Sequence, residues 1–208
     1  MNATLHAHLK EAAAVAERVA RGVPAGPLDG RTPCAGWDLR TLLNHWILYT
    51  SHGLEHRARR TRLPGELTGR DFASEPGWAD AYAAQLARAV AAWAAPEAWE
   101  GEVDLGFAAM PAEEIAGMVV KELVVHGWDV AAATGQELRC SDGLARCVLD
   151  VVERYAEVYR EYDGFAEPVR LPDGSGPLER ALALSGRDPA AGAVRTVAAP
   201  AQGAPQPS

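Results

Sequence analysis

Residues 112 to 134 restrict the fold more than any other part of the chain. The segment AEEIAGMVVKELVVHGWDVAAAT lies between Pro111 and Gly135. Proline suits the first turn of a helix, where its missing N–H costs nothing, and glycine suits the residue just past the end. Between them is the length of a long helix whose residues are apolar on almost every side, and such a helix belongs in a protein interior. Yet it carries Glu122 and His126. Residues four apart share one helix face, so a carboxylate and an imidazole sit side by side among Val119, Val120, Leu123 and Val124. An unpaired carboxylate buried there is strongly unfavourable, and something must compensate it.

A buried helix needs partners, and the rest of the chain supplies them. Leu5, Leu9, Ala13, Val15 and Val19 recur near a 3.6 period and predict a helix over 4–21. A turn-rich stretch, GVPAGPLDGRTPCAGWD, ends in Asp38, a residue able to cap the next helix by accepting a free N–H. That helix is expected over 38–60, with a stripe of Leu39, Leu42, Leu43, Trp46, Ile47 and Leu54. A loop over 61–76 leads to a helix over 77–95. Residues 97–111 lack helical periodicity and read as a crossing loop or a short hairpin. Ser141 and Asp142 start a helix over 141–162, and a short helix is expected over 176–185. Four or five long helices with no convincing sheet predict an all-α fold, a helical bundle. One domain is expected over 1–189, followed by a disordered tail over 190–208.

Composition narrows the function. Against 28 Asp and Glu stand 20 Lys and Arg, a net charge of −8. That balance disfavours a nucleic-acid or anionic-membrane partner, which needs clustered positive charge. The one basic cluster, HRARRTR at 56–62, sits at a helix C-terminus, where cations suit the dipole. No signal-type N-terminus or spanning apolar stretch is evident. Cys34, Cys140 and Cys147 have no pairing pattern, which together points to a reduced, cytoplasmic protein.

The compensation for Glu122 that carries chemistry is a metal ion, since a carboxylate oxygen and an imidazole nitrogen at i, i+4 can share one zinc. A third ligand is available in His45 of LLNHWIL, on an inward face of the second helix. Packed bundle helices lie about 8–10 Å apart, close enough to bring His45 against the pair. Two His and one Glu with an open fourth position is the pattern of catalytic zinc. An ion pair between Glu122 and His126 in a purely structural helix is the competing reading. His52 and His56 are also four apart but lie toward the arginine-rich helix end, and His6 and His8 lie near the N-terminus. Tyr49, one turn beyond His45, could donate into a pocket. Asp129, near His126, could orient its ring. Arg187 could meet an anionic substrate group or close the C-terminal segment with a salt bridge. Trp37 and Trp128 could pack or wall a pocket.

Three stretches in this order, TPCAGWDLRTLLNHW (32–46), KELVVHGWDVAAATGQ (121–136) and LERALALSGRDP (178–189), resemble actinobacterial metal-binding proteins. These are related to the N-terminal domain of mycothiol-dependent maleylpyruvate isomerase, within the DinB/YfiT-like superfamily. The resemblance implies an all-α, DinB-like four-helix bundle with an extra short C-terminal helix, holding a divalent metal, usually zinc, on His45, Glu122 and His126. It also implies mycothiol, a low-molecular-weight thiol, as co-substrate with a small-molecule substrate, and a homodimer. The isomerase has an additional C-terminal domain that supplies part of its active site. This chain instead runs into a short helix, a Gly-Arg-Asp-Pro turn and a loose tail, so isomerisation of maleylpyruvate itself is not expected. The expected function is a zinc-dependent enzyme that activates a thiol for S-transfer, thiol-assisted isomerisation or detoxification of an electrophile. The alternatives are a non-catalytic protein that binds or sequesters a small molecule, and a hydrolase using metal-bound water.

Overall fold

Long helices form where the apolar periodicity places them, and their ends follow local capping chemistry. In the computed structural model, which describes residues 2–106 and 108–190, α1 spans Ala3–Arg21 and the Asn2 side chain caps it by accepting from Leu5 N. The Asp38 carboxylate accepts from Thr41 N at 2.8 Å and starts α2, Leu39–Ile47. The helix expected over 38–60 is one rod in three parts. After α2 comes a π-helical turn, Leu48–His52, and then α3, Gly53–Ala58. The interruption has a local cause. The Thr50 hydroxyl donates to the Trp46 carbonyl and the Ser51 hydroxyl to the Ile47 carbonyl, both at 2.6 Å. Side chains bonding back to carbonyls four residues earlier disturb the regular ladder.

The segment expected as a loop over 61–76 contains a one-turn helix, α4 (Gly65–Thr68), and a 3₁₀ turn, Phe72–Ser74. Asn44 fastens that turn, donating to Asp71 Oδ1 at 2.8 Å and accepting from Ala73 N at 3.0 Å. Next come α5 (Trp78–Ala92) and a 3₁₀ turn at Pro96–Trp99. Of the two readings of 97–111 the structure takes the hairpin: β1 (Glu102–Asp104) pairs antiparallel with β2 (Ala109–Pro111), Val103 facing Met110. The apolar segment is α6, Ala112–Ala133, and α7 (Asp142–Glu161) and α8 (Pro177–Leu184) complete the order.

The fold is the expected all-α, DinB-like bundle. Helix α1 packs on α5 and α6, α6 also packs on α2, and α3 packs on α5, which closes a ring of four. Helix α7 lies outside that ring against α6 and α1, and α8 packs on α7. Trp46 and Trp93 are wholly buried at the centre. Trp93 Nε1 donates to the Leu54 carbonyl at 2.9 Å and ties α5 to α3. Gly127 lets α6 approach α2, because a Cβ there would stand 3.3 Å from the Trp46 ring. Among the described residues no helix is long and apolar enough to cross a membrane. The disordered tail expected over 190–208 lies, from residue 191 onward, outside the described residues.

Candidate metal centre

The close approach of α2 and α6 sets three side chains around one point. His45 stands in the last turn of α2, and Glu122 and His126 stand one turn apart on α6. Glu122 Oε2 is 3.0 Å from His126 Nε2 and 3.6 Å from His45 Nε2. One ligand atom from each of the three falls within 4.8 Å of the others. The side chains of His45, Glu122 and His126 are 28%, 20% and 12% exposed, so the cluster is mostly buried but still reachable.

The two oxygens of Glu122 are treated differently. Oε1 is paired with the Lys121 ammonium. Oε2 is buried and has no hydrogen-bond partner among the described residues, although two imidazole nitrogens face it. The nearer nitrogen, His126 Nε2, is close enough to form an ion pair when the ring is protonated, the competing structural reading, yet the contact does not meet hydrogen-bond geometry. Lone pairs that share a neighbourhood without bonding to one another suit a cation between them. Ligands of one tetrahedral zinc at about 2.0–2.1 Å stand about 3.3 Å apart, close to the 3.0 and 3.6 Å separations. The donor set and its orphaned oxygen therefore fit a divalent metal.

His126 is held from behind. Its Nδ1 lies 3.0 Å from Asp129 Oδ2, and Asp129 is wholly buried. Arg187 grips that carboxylate with two prongs, Nη2 to Oδ2 at 2.9 Å and Nε to Oδ1 at 3.2 Å. Such a carboxylate accepts a hydrogen bond from Nδ1–H, which fixes the proton on that nitrogen and turns the other ring nitrogen toward the metal position. Arg187 reaches Asp129 because the chain turns sharply at Gly186, whose φ is +81° and whose Cβ, if present, would stand 2.6 Å from Ala166 Cβ. Trp37 lies over the His126 ring at 5.8 Å and 23°, and its centroid is 4.6 Å from that of His45. Tyr49 flanks His45 at 4.7 Å.

The charges are strongly coupled. Burial alone would raise the Glu122 carboxyl, but the Lys121 ammonium and His126 hold it well below its ordinary value. Burial would likewise lower His126, but Glu122 and Asp129 on either side raise it well above the usual imidazole value. Lys121 is 2% exposed and its Nζ lies 4.1 Å from the centre of the Tyr159 ring and 5.5 Å from that of Phe165. This buried cation escaped the sequence reading. Its signal was a lysine directly preceding the lone carboxylate of an apolar helix.

A second set, Cys34, His126 and Asp129, also has donor atoms within 4.8 Å of one another. Both Asp129 oxygens are already engaged by Arg187 and His126, so this set lacks the free acceptor that Glu122 Oε2 offers. His52 and His56 lie elsewhere. His52 stacks on Phe72 at 5.2 Å, and His56 Nδ1 is 2.7 Å from Thr61 Oγ1. A cavity of about 860 Å³ opens beside the cluster and includes His45, Glu122 and Tyr49 in its wall. Asp129 and Arg187 stand behind His126 and do not line that cavity.

A family model described as the mycothiol maleylpyruvate isomerase N-terminal domain matches residues 9–131. The chain belongs to that family. The matched span holds His45, Glu122 and His126, while Arg187 lies beyond it. Two proteins from strains of Mycobacterium tuberculosis, "Uncharacterized protein MT0763" and "Uncharacterized protein Rv0738", are each 30% identical over 191 residues, covering 88% of this chain and 97% of their own. No solved structure matches.

Proposed function

We propose that His45, Glu122 and His126 hold a divalent metal ion, zinc by the character of the donors, and that the protein uses it to activate a mycothiol-type thiol. The acceptor is an electrophilic small molecule, and the outcome is S-transfer or thiol-assisted isomerisation. The observation that carries the reading is the buried Glu122 Oε2, without a hydrogen-bond partner, facing two imidazole nitrogens. Two imidazoles and one carboxylate favour zinc over the hard cations, which prefer all-oxygen sites. Membership of a family named for mycothiol supports a thiol as the partner.

A zinc ion with a free coordination position lowers the pKa of a thiol that enters it, which makes the nucleophile available at neutral pH. The chain's residues do the rest. Asp129 keeps the proton on His126 Nδ1, Lys121 holds Glu122 by its other oxygen, and Trp37 closes one side of the two imidazoles.

The test is metal analysis of protein purified without added metal, followed by thiol consumption with electrophiles present. Near-stoichiometric zinc, turnover with mycothiol, and loss of both in His45→Ala are expected. Metal without turnover leaves a binding protein, and no metal removes the reading altogether.

A further inference from the structure

The cavity beside the cluster has a composition that selects its ligand. Most of its wall is apolar, with Leu105, Met110, Met118 and Val119 as examples. Its rim holds Tyr49, Val158 and Tyr162, which are 36%, 50% and 80% exposed and are the exposed large apolar side chains among the described residues. Apolar groups gathered at the mouth of one cavity, rather than scattered, mark a binding surface. A sugar-rich thiol would leave its hydroxyls unpaired against such a wall, so this space suits the other reactant.

One side chain breaks the pattern. Arg57, from the last turn of α3, lines the same cavity. Its Nη1 donates to the Tyr49 carbonyl at 3.2 Å, and no carboxylate lies within ion-pair distance among the described residues. Burial lowers its pKa against the pull of Glu122. The other cations near the cluster are engaged, Lys121 by Glu122 and Arg187 by Asp129. A guanidinium in an apolar wall offers a planar fork that matches a carboxylate. Although the whole chain carries −8, the cavity wall holds only two charged side chains among the described residues, Arg57 and Glu122, and Glu122 is already paired with the buried Lys121 behind it.

We infer that the cavity binds an apolar, ring-sized molecule bearing one carboxylate, with the ring body against Met118 and Val119 and the carboxylate on Arg57. This deepens the proposed function, since it rests on that reading for calling the ligand the thiol's acceptor. The binding itself needs only the cavity and Arg57.

The probes are 2-naphthoate and its uncharged near-isostere 2-naphthamide, titrated calorimetrically into the full-length protein both as purified and after chelation of metal. The wild type binds naphthoate more tightly than naphthamide by roughly tenfold to a hundredfold, the range for a hydrogen bond to a charged group. Arg57→Gln loses that preference, Arg57→Lys keeps part of it, and Met118→Trp weakens both probes by filling the space. Equal binding of the two probes by the wild type, or binding of neither, overturns the inference. So does a preference that vanishes on chelation but survives Arg57→Gln, which would assign the carboxylate to the metal. Should Arg57→Gln fail to fold, the wild type and Arg57→Lys comparison carries the test. A protein that takes up no metal yet prefers naphthoate through Arg57 defeats the proposed function and leaves this inference standing.

Discussion

Replacing Asp129 by asparagine probes the support behind His126 with almost no change in volume. Asp129 is wholly buried and Arg187 is 5% exposed, so the pair is removed from water on both sides. Asn cannot balance the guanidinium, and its amide must turn an NH₂ toward either Arg187 or His126 Nδ1. Removing one partner of a buried pair costs about 3–5 kcal/mol, because the other charge is left uncompensated. The second effect falls on the cluster: once Nδ1 loses its carboxylate, the ring is less fixed and less basic, and loss of such a support weakens metal binding by about 10–100-fold. Urea unfolding of the chelated protein measures the first quantity and zinc competition against a coloured chelator the second. A double variant, Asp129→Leu with Arg187→Met, supplies the control. It should be less destabilised than the sum of the two single changes, since apolar replacement of a whole buried pair is often near neutral. A loss of stability under about 1 kcal/mol together with unchanged zinc affinity would refute the reasoning.

The remaining expectations can be checked with the same assays. Lys121→Met leaves Glu122 Oε1 without its partner and should destabilise the chelated protein by about 1–3 kcal/mol, with zinc restoring more of the melting temperature than in the wild type because the ion supplies the missing charge. Gly186→Ala should cost about 1–3 kcal/mol from the φ of +81° alone, with more from the 2.6 Å approach to Ala166, and should lower zinc affinity by displacing Arg187. In the metal-free protein the His126 pKa is raised, so its contribution to stability is fully present below the unfolded value of about 6.5 and is lost as pH rises through the folded value. Zinc must displace the same proton, so titration calorimetry in buffers of different ionisation enthalpy should show proton release on zinc binding and an affinity that increases with pH.

The helical segments and their caps were legible from local pattern. The periodicity of α1 and α7, the Asp38 and Ser141 caps, and Pro111 and Gly135 around α6 are local facts, because helical hydrogen bonds and capping partners lie within four residues. The neighbourhood of Glu122 and His126 was legible for the same reason, since residues four apart share a face whatever else the chain does. The π-helical turn escaped notice because periodicity does not report where Thr50 and Ser51 direct their hydroxyls. Packing across the chain, by contrast, sets α7 outside the four-helix ring, brings His45 of α2 to Glu122 where Gly127 allows a close approach, and carries Arg187 to Asp129. It also decided that Arg57, read from sequence as one member of a basic helix end, stands in an apolar wall. Such placements join residues tens of positions apart through side-chain packing, and the energy that sets them resides in contacts that no local pattern contains.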